Sequence, residues 1–395
     1  MERVRWRTGS PRSRWLRGWV LWFTWGLLLV LLVRGAVYLL DDRNAAARGG
    51  EHGLSAEQQQ LLDDVTYEQP VVEESAKPTE TNKQQVKEQP SVEASTGNKS
   101  GSKGLKSLSA YDRMWVNVYL TKEKRIEKMP IELYVRGVLA GEMPIDFELE
   151  ALKAQAIAAR TYIYKRMKAN DRSGLSGEAE RADVDDTVMN QVYVPLNSLL
   201  SRWSGTTKEK NLGKLNEAVE QTKGQIVTYE GEPIQAAFFS TSNGYTENAS
   251  DYWDLDLPYL RSVASPWDKA ISPSYKETVT MTLNDFSKKL GIKKSAVRQM
   301  RILDTTAGKR IKTVMIGREI LSGREVREKL GLASSQFNWT ILDDEIQITT
   351  FGYGHGVGMS QWGANGMAQS GGKAAEILAH YYSGTQLTTA KGLVD

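Results

Sequence analysis

Glu142 stands between Gly141 and the pair Met143-Pro144, just past a short amphipathic run, where one carboxyl can serve as a general acid. The other reading of such a residue is an ordinary surface glutamate beside a turn. A second chemical stretch runs from Phe351 to Gly363, with glycine at every second position from 352 to 358. Ordering so much glycine costs conformational entropy, which makes sense where the backbone must approach a ligand closely or adopt positive φ. His355, Ser360, Gln361 and Trp362 lie within it. A third stretch, Ser240-Thr241-Ser242-Asn243-Gly244-Tyr245-Thr246, offers small hydroxyl and amide groups that suit a sugar, or forms a plain turn.

Several chemistries fail on spacing. The glycine-rich stretch is neither G-x-G-x-x-G in a βαβ setting nor a phosphate-binding loop, since no Gly-Lys-Ser/Thr follows. Ser360 lacks the second glycine of a hydrolase elbow. A zinc site would have to draw on His355 and His380 with carboxylates, without ligand spacing to support it.

The elements that must position these groups follow from periodicity. Trp115–Leu120 alternates as a strand, followed by a charged turn from Lys122 to Lys128. Pro130 fits the first turn of a helix with Ile131, Val135, Val138 and Leu139 on one face and Gly141 as its stop. Glu142 then lies near unpaired helix carbonyls, and that field together with partial burial favours its protonated form. Phe147 to Lys168 reads as the strongest helix, with Leu149, Leu152, Ala156, Ala159 and Ile163 at helical spacing. Arg160 on it is either solvated or a donor pointing into the site.

Further on, 174–186 reads as a polar loop leading to Gln191-Val192-Tyr193, and 211–224 as a helix. Residues 225–239 read as a hairpin turning at Glu230-Gly231. Trp253 and Trp267 either pack a core or stack on sugar rings. Residues 278–332 alternate short helices and strands, with Ser322 opening a helix that stops near Gly331. Lys373 to Tyr382 closes the chain as a helix. The fold class expected is α+β, two lobes around a substrate groove, with a supporting subdomain at about 275–335.

The chain of 395 residues has a net charge of +3, but six arginines against Glu2 place +5 in the first seventeen residues and leave −2 for the rest. That offers no basic footprint for nucleic acid. With no cysteine, disulfides and thiolate metal sites are excluded. After the basic tail (1–17), the apolar segment 18–40 spans about 34 Å as a helix, enough for a hydrocarbon core of about 30 Å. The arginine flank predicts a cytoplasmic N-terminus and an extracytoplasmic remainder. A cleaved signal peptide processed near Ala45-Ala46-Ala47 is the other reading, though the apolar segment exceeds the usual h-region of about 7–15 residues. Residues 41–105, polar and broken by Pro70, Pro78 and Pro90, read as a flexible linker with a reach of roughly 45 Å. The remainder, 106–395, is the expected catalytic domain.

Four blocks together resemble the stage II sporulation protein D family of endospore-forming bacteria. They are Val138–Pro144, Glu150–Tyr162, Gly354–Gly363 and His380-Tyr381-Tyr382. The resemblance implies a lytic transglycosylase, a lyase that cleaves the N-acetylmuramic acid–N-acetylglucosamine bond of peptidoglycan strands stripped of stem peptides. It implies a role in forespore engulfment on the mother-cell side of the septal membrane. The implied partners are an amidase, stage II sporulation protein P, and a membrane protein, stage II sporulation protein M. The family's catalytic acid falls on Glu142 and its helix arginine on Arg160. Gln191, Ser240, Ser242, Asn243, Tyr245, His355, Gln361, Trp362 and Tyr381 complete the residues expected to bind substrate. Some relatives hold zinc in the loop before Gln-Val-Tyr. Here that loop reads Asp185-Asp186-Thr187-Val188-Met189-Asn190, so neither zinc nor another cofactor is expected.

A glycosidase that hydrolyses normally needs two carboxylates. A lytic transglycosylase needs one, because the muramic 6-hydroxyl of the substrate is the nucleophile. Two rivals remain: a non-catalytic wall-binding module that stimulates an amidase, and a hydrolase using Asp146 or Asp251 as a second acid.

Overall fold

The computed structural model describes residues 111–253 and 255–390. The basic tail, the anchor at 18–40 and the linker at 41–105 lie outside the described residues. Among the described residues no helix is long and apolar enough to cross a membrane. The fold is α+β, with helices around small sheets.

Strand β1 (Trp115–Leu120) buries Val116, Val118 and Leu120 through its alternation. It pairs antiparallel with β2 (Arg125–Pro130). The charged stretch expected to be a turn therefore supplies a strand. Its turn is confined to 121–124, with Lys124 at φ 52. An edge strand with Met129 as its buried residue tolerates such charge.

Pro130 precedes helix α1 (Ile131–Glu142) rather than lying inside its first turn. Ile131, Tyr134, Val135, Val138 and Leu139 form its buried face. Gly141 does not stop this helix, which runs through Glu142 to an extended Met143. A Cβ at position 141 would overlap the Val192 carbonyl, so this glycine admits the neighbouring loop against the helix. Helix α2 (Leu149–Lys168), starting two residues after Phe147, is buried on almost every side. Its alanines let α1 and later elements pack closely around it.

The loop after α2 adds β3 (Val184–Asp185), parallel to β1 on the edge opposite β2. Helices α3 (Leu196–Arg202) and α4 (Gly205–Gln221) follow, α4 beginning a turn and a half before the expected 211. Strands β4 (Gln225–Tyr229) and β5 (Glu232–Pro233) form the expected tight turn, with Glu230 and Gly231 at φ 51 and 84. The chain then leaves the hairpin to form β6 (Phe238–Phe239), α5 (Ala249–Trp253) and α6 (Asp268–Ile271).

A second hydrophobic core, built on Leu283, Phe286, Val314, Val326, Ile346 and Ile348, interrupts the first. It comprises β7 (Lys276–Thr282), α7 (Leu283–Leu290), β8 (Met300–Thr305), β9 (Ile311–Ile316), β10 (Glu319–Ser322), α8 (Gly323–Leu330), β11 (Phe337–Leu342) and β12 (Glu345–Phe351). The sheets are ordered β10-β9-β8 and β11-β12-β7. A capping box of Ser322 and Glu325 opens α8, and left-handed Gly331 closes it. The chain returns to the first core as β13 (Met359–Ser360), parallel to β6, then α9 (Gln361–Gln369), α10 (Ala374–Tyr381) and β14 (Gln386–Thr389), which pairs with β4.

Candidate active site

Glu142 occupies the last turn of α1. Its Oε1 accepts the Val192 N–H at 2.7 Å, and its Oε2 accepts the Gln361 side-chain amide at 3.2 Å. The Val192 donor is held from both sides. Gly141 lets its loop touch α1, and Val194 N–H donates to the Gly137 carbonyl at 3.2 Å. Upstream, Asp185 accepts from Thr187 N–H at 3.0 Å and Asp186 from Thr121 N–H at 3.1 Å.

Gln361 is the first residue of α9, whose cap Ser360 accepts from Gly363 N–H at 3.2 Å. Ser360 in turn donates to the buried carboxylate of Asp268. Asp268 also accepts from Ser242 N–H at 2.7 Å and Ser265 Oγ at 2.8 Å. Burial pushes the Asp268 carboxyl above the ordinary carboxylate range.

Glu142 as a residue keeps partial solvent access, while its carboxyl is surrounded by protein. Burial pushes its pKa up to about 7, against the lowering effect of the Val192 and Gln361 hydrogen bonds. Enclosure is thus the cause that raises the pKa. Near neutral pH the group can give a proton and take it back.

The other expected residues divide by location. Gln191 lies beside Val192 but is buried, accepting from Tyr134 Oη at 2.9 Å. Trp362 sits next to Gln361, its ring edge-on to Phe147 at 4.7 Å, and its backbone N–H donates to the Ser240 carbonyl at 3.1 Å. Glu142, Gln191, Ser240, Gln361 and Trp362 are therefore joined in one hydrogen-bonded or sequence-contiguous neighbourhood.

Arg160 is elsewhere. Fully buried, it clasps Glu132 at 2.7 and 3.1 Å and donates to the Gln225 carbonyl at 3.2 Å, tying the start of α1 to β4. Neither expected alternative, a solvated arginine nor a donor into the site, describes it. Ser242 is buried and donates to the Ser265 carbonyl. Asn243 is spent on the Gly308 carbonyl at 2.8 Å, and buried Tyr381 shares a hydrogen bond with Ser265. Tyr245 is exposed.

His355 accepts the Val357 N–H at 3.0 Å and packs among Phe239, Tyr252 and Trp253. Burial, with Arg327 and Arg310 nearby, pushes its pKa down to about 3, so it is neutral. The glycines around it bring the backbone against protein, whereas close approach to a ligand was one expectation. Gly356 and Gly358, at φ 88 and 80, would drive a Cβ into the Arg310 guanidinium and the Ala237 carbonyl.

Sequence reading missed Val192, because a backbone donor has no side-chain signature, and passed over Asp268, Glu132 and Tyr134. The run Ser265-Pro266-Trp267-Asp268 was the available signal for Asp268. Among the described residues no group of three or more His, Asp or Glu could hold a metal ion. Two surface concavities, about 90 and 250 Å³, are lined by other residues, including Leu133 and Tyr193 in one and Lys153 and Gln225 in the other. Neither is lined by Glu142.

Residues 119–229 match the family described as Stage II sporulation protein. The chain is 46% identical over 322 residues to Stage II sporulation protein D of Bacillus subtilis (strain 168), covering 80% of this chain and 91% of that protein. It is 48% identical over 276 residues to the Stage II sporulation protein D of Bacillus amyloliquefaciens, covering 70% and 79%. It is also 30% identical over 309 residues to the Amidase enhancer of Bacillus subtilis (strain 168), covering 65% of this chain and 40% of that protein.

Proposed function

The chain belongs to the stage II sporulation protein D family, a sporulation family, and on that footing we propose that it is a peptidoglycan lytic transglycosylase with Glu142 as its acid and base. The carrying observation is a carboxyl with a pKa of about 7, enclosed by protein and held by two neutral N–H donors. A general acid works best when its pKa lies near the operating pH.

Glu142 gives its proton to the glycosidic oxygen as the bond to muramic C1 breaks. The muramic 6-hydroxyl oxygen then bonds to C1 and returns its proton to Glu142. The products are a 1,6-anhydro end and a free hydroxyl on the departing sugar, so proton and atoms balance without water. Val192 N–H and the Gln361 amide stabilise the transient carboxylate. The strand runs past Glu142, Trp362 and Ser240, with positioning central because the nucleophile belongs to the substrate.

The substrate is peptide-free glycan, and the setting is wall degradation during engulfment. The protein is anchored by a single span with its catalytic domain outside, beside the amidase and membrane protein named for the family above.

Two other readings stay in view. The relative named Amidase enhancer supports a wall-binding module that stimulates an amidase. A hydrolase would need a second acid. Asp251 is engaged by Lys312 at 3.5 Å and Asn248 at 2.9 Å, while Asp146 is exposed between α1 and α2. Mass spectrometry of digested peptide-free glycan separates them. Anhydro ends support the proposal, reducing ends support a hydrolase, and amidase stimulation without new saccharide ends supports the enhancer.

A further inference from the structure

Where α8 meets α5 and the glycine-rich turn, positive charge is concentrated that the proposed mechanism leaves unused. The Arg324 guanidinium stands over the Tyr252 ring at 4.7 Å and donates to the Tyr252 carbonyl at 3.1 Å, with Glu328 as its acidic neighbour at 2.7 Å. Arg327 donates to Tyr252 Oη at 3.4 Å and to the Ala333 carbonyl at 3.3 Å. Among the described residues no carboxylate forms an ion pair with Arg327. Arg310 is buried behind them, 3.7 Å from Glu247, and its Nε and Nη2 have no hydrogen-bond partner.

The rings of Tyr252 and Trp253 lie 5.6 and 5.5 Å from His355. The positive surroundings are felt there, since Arg327, Arg310 and Arg324 all help hold that histidine neutral. Aromatic faces that can take the apolar side of a ring, beside guanidinium forks that match a carboxylate, are the parts of a site for an acidic sugar.

We propose that Arg327, backed by Arg310 and Arg324 and flanked by Tyr252 and Trp253, forms a subsite for a sugar carrying a free carboxylate. Given the glycan reading above, on which this rests, that group is the lactyl carboxylate exposed when the peptide is removed from a muramic residue. His355 and Gln361 are six residues apart in one chain segment, so their Cα atoms are separated by at most about 20 Å. On this proposal the subsite reads a sugar of the same strand other than the one cut at Glu142. A muramic residue that keeps its peptide has an amide in place of the carboxylate and loses the ion pair, so the subsite senses whether an amidase has already acted.

The test reads binding, using the full chain carrying Glu142→Gln so that no turnover intervenes. One ligand is peptide-free glycan, and the other is the same glycan with its lactyl carboxylates converted to methylamides. Methylamidation is expected to weaken binding about tenfold at low salt, the scale of one charge-assisted hydrogen bond. Arg327→Gln is expected to erase that difference, while Arg327→Lys keeps most of it. Equal binding of both glycans by the parent overturns the proposal, as does binding of neither. Undiminished discrimination in Arg327→Gln, or an equal loss on both glycans, also overturns it. If Arg327→Gln does not fold, the two glycans on the parent and Arg327→Lys still decide. Release of anhydro ends is a separate readout, so failure of the subsite and failure of the acid assignment are distinguishable.

Discussion

The two ends of α1 carry two glutamates in opposite electrostatic settings. Glu132, in the first turn, is clasped by the Arg160 guanidinium and also accepts from Tyr111 Oη and Gly224 N–H. Glu142, in the last turn, is enclosed as well but is held by one backbone amide and one side-chain amide. The first carboxylate has a full counter-charge and serves as a clamp between α1, α2 and β4. The second has dipoles in place of a cation, and burial leaves it with a proton to give. The presence or absence of a cation separates scaffold from chemistry along one helix.

The largest expected effect that would sharpen this contrast is on turnover at the C-terminal end. Glu142→Gln keeps the shape and removes the proton, and should lower release of anhydro products by about 10²–10⁴-fold, measured by chromatography of digested glycan. At the other end, Arg160→Met leaves Glu132 without its cation and should cost about 3–5 kcal/mol of stability in denaturant unfolding. Its folded fraction should keep its kcat. A raised KM with unchanged stability would instead return Arg160 to substrate binding and break the comparison.

Smaller effects follow. Gly358→Ala at φ 80 meets the Ala237 carbonyl and should destabilise by about 1–3 kcal/mol, read as a lower melting temperature. Glu142 itself has a signature in stability. Its folded pKa of about 7 lies above the ordinary 4.5, so its contribution is full below pH 4.5 and is lost as pH rises through 7. Glu142→Gln should therefore outlast the parent above pH 7 by ~1–3 kcal/mol in denaturant unfolding. Finally, Gln361→Leu removes a hydrogen bond that favours the carboxylate. The alkaline limb of the pH–rate profile should move upward by about one unit, from the 1.5–3 kcal/mol scale of charged hydrogen bonds.

The sequence was most legible where one local rule governed. The alternation of Trp115–Leu120, the apolar stripe of α1, the alanine-rich α2, the Glu230-Gly231 turn and the Ser322–Gly331 cap all depend on neighbours within a few residues, and all are present. It was least legible where pairing is distant. Strand β2 looked like a charged turn because its value lies in pairing with β1. Gly141 looked like a helix stop because the loop that needs its missing Cβ is fifty residues away. For Arg160, the helix register suggested solvent or substrate, and Glu132, twenty-eight residues upstream, takes it from both. Likewise, Glu142 was visible as a residue type, but its two donors come from Val192 and Gln361, and only folding joins them.

The central claim is that Glu142 holds its proton near neutrality because its carboxyl is enclosed without a cation. Carbon-13 NMR of glutamate-labelled protein, titrated from pH 3 to 9 and compared with Glu142→Gln, reads that carboxyl directly. The account expects one resonance, absent from the variant, to titrate near pH 7. A midpoint near 4.5 for that resonance, as for an ordinary surface glutamate, would contradict it.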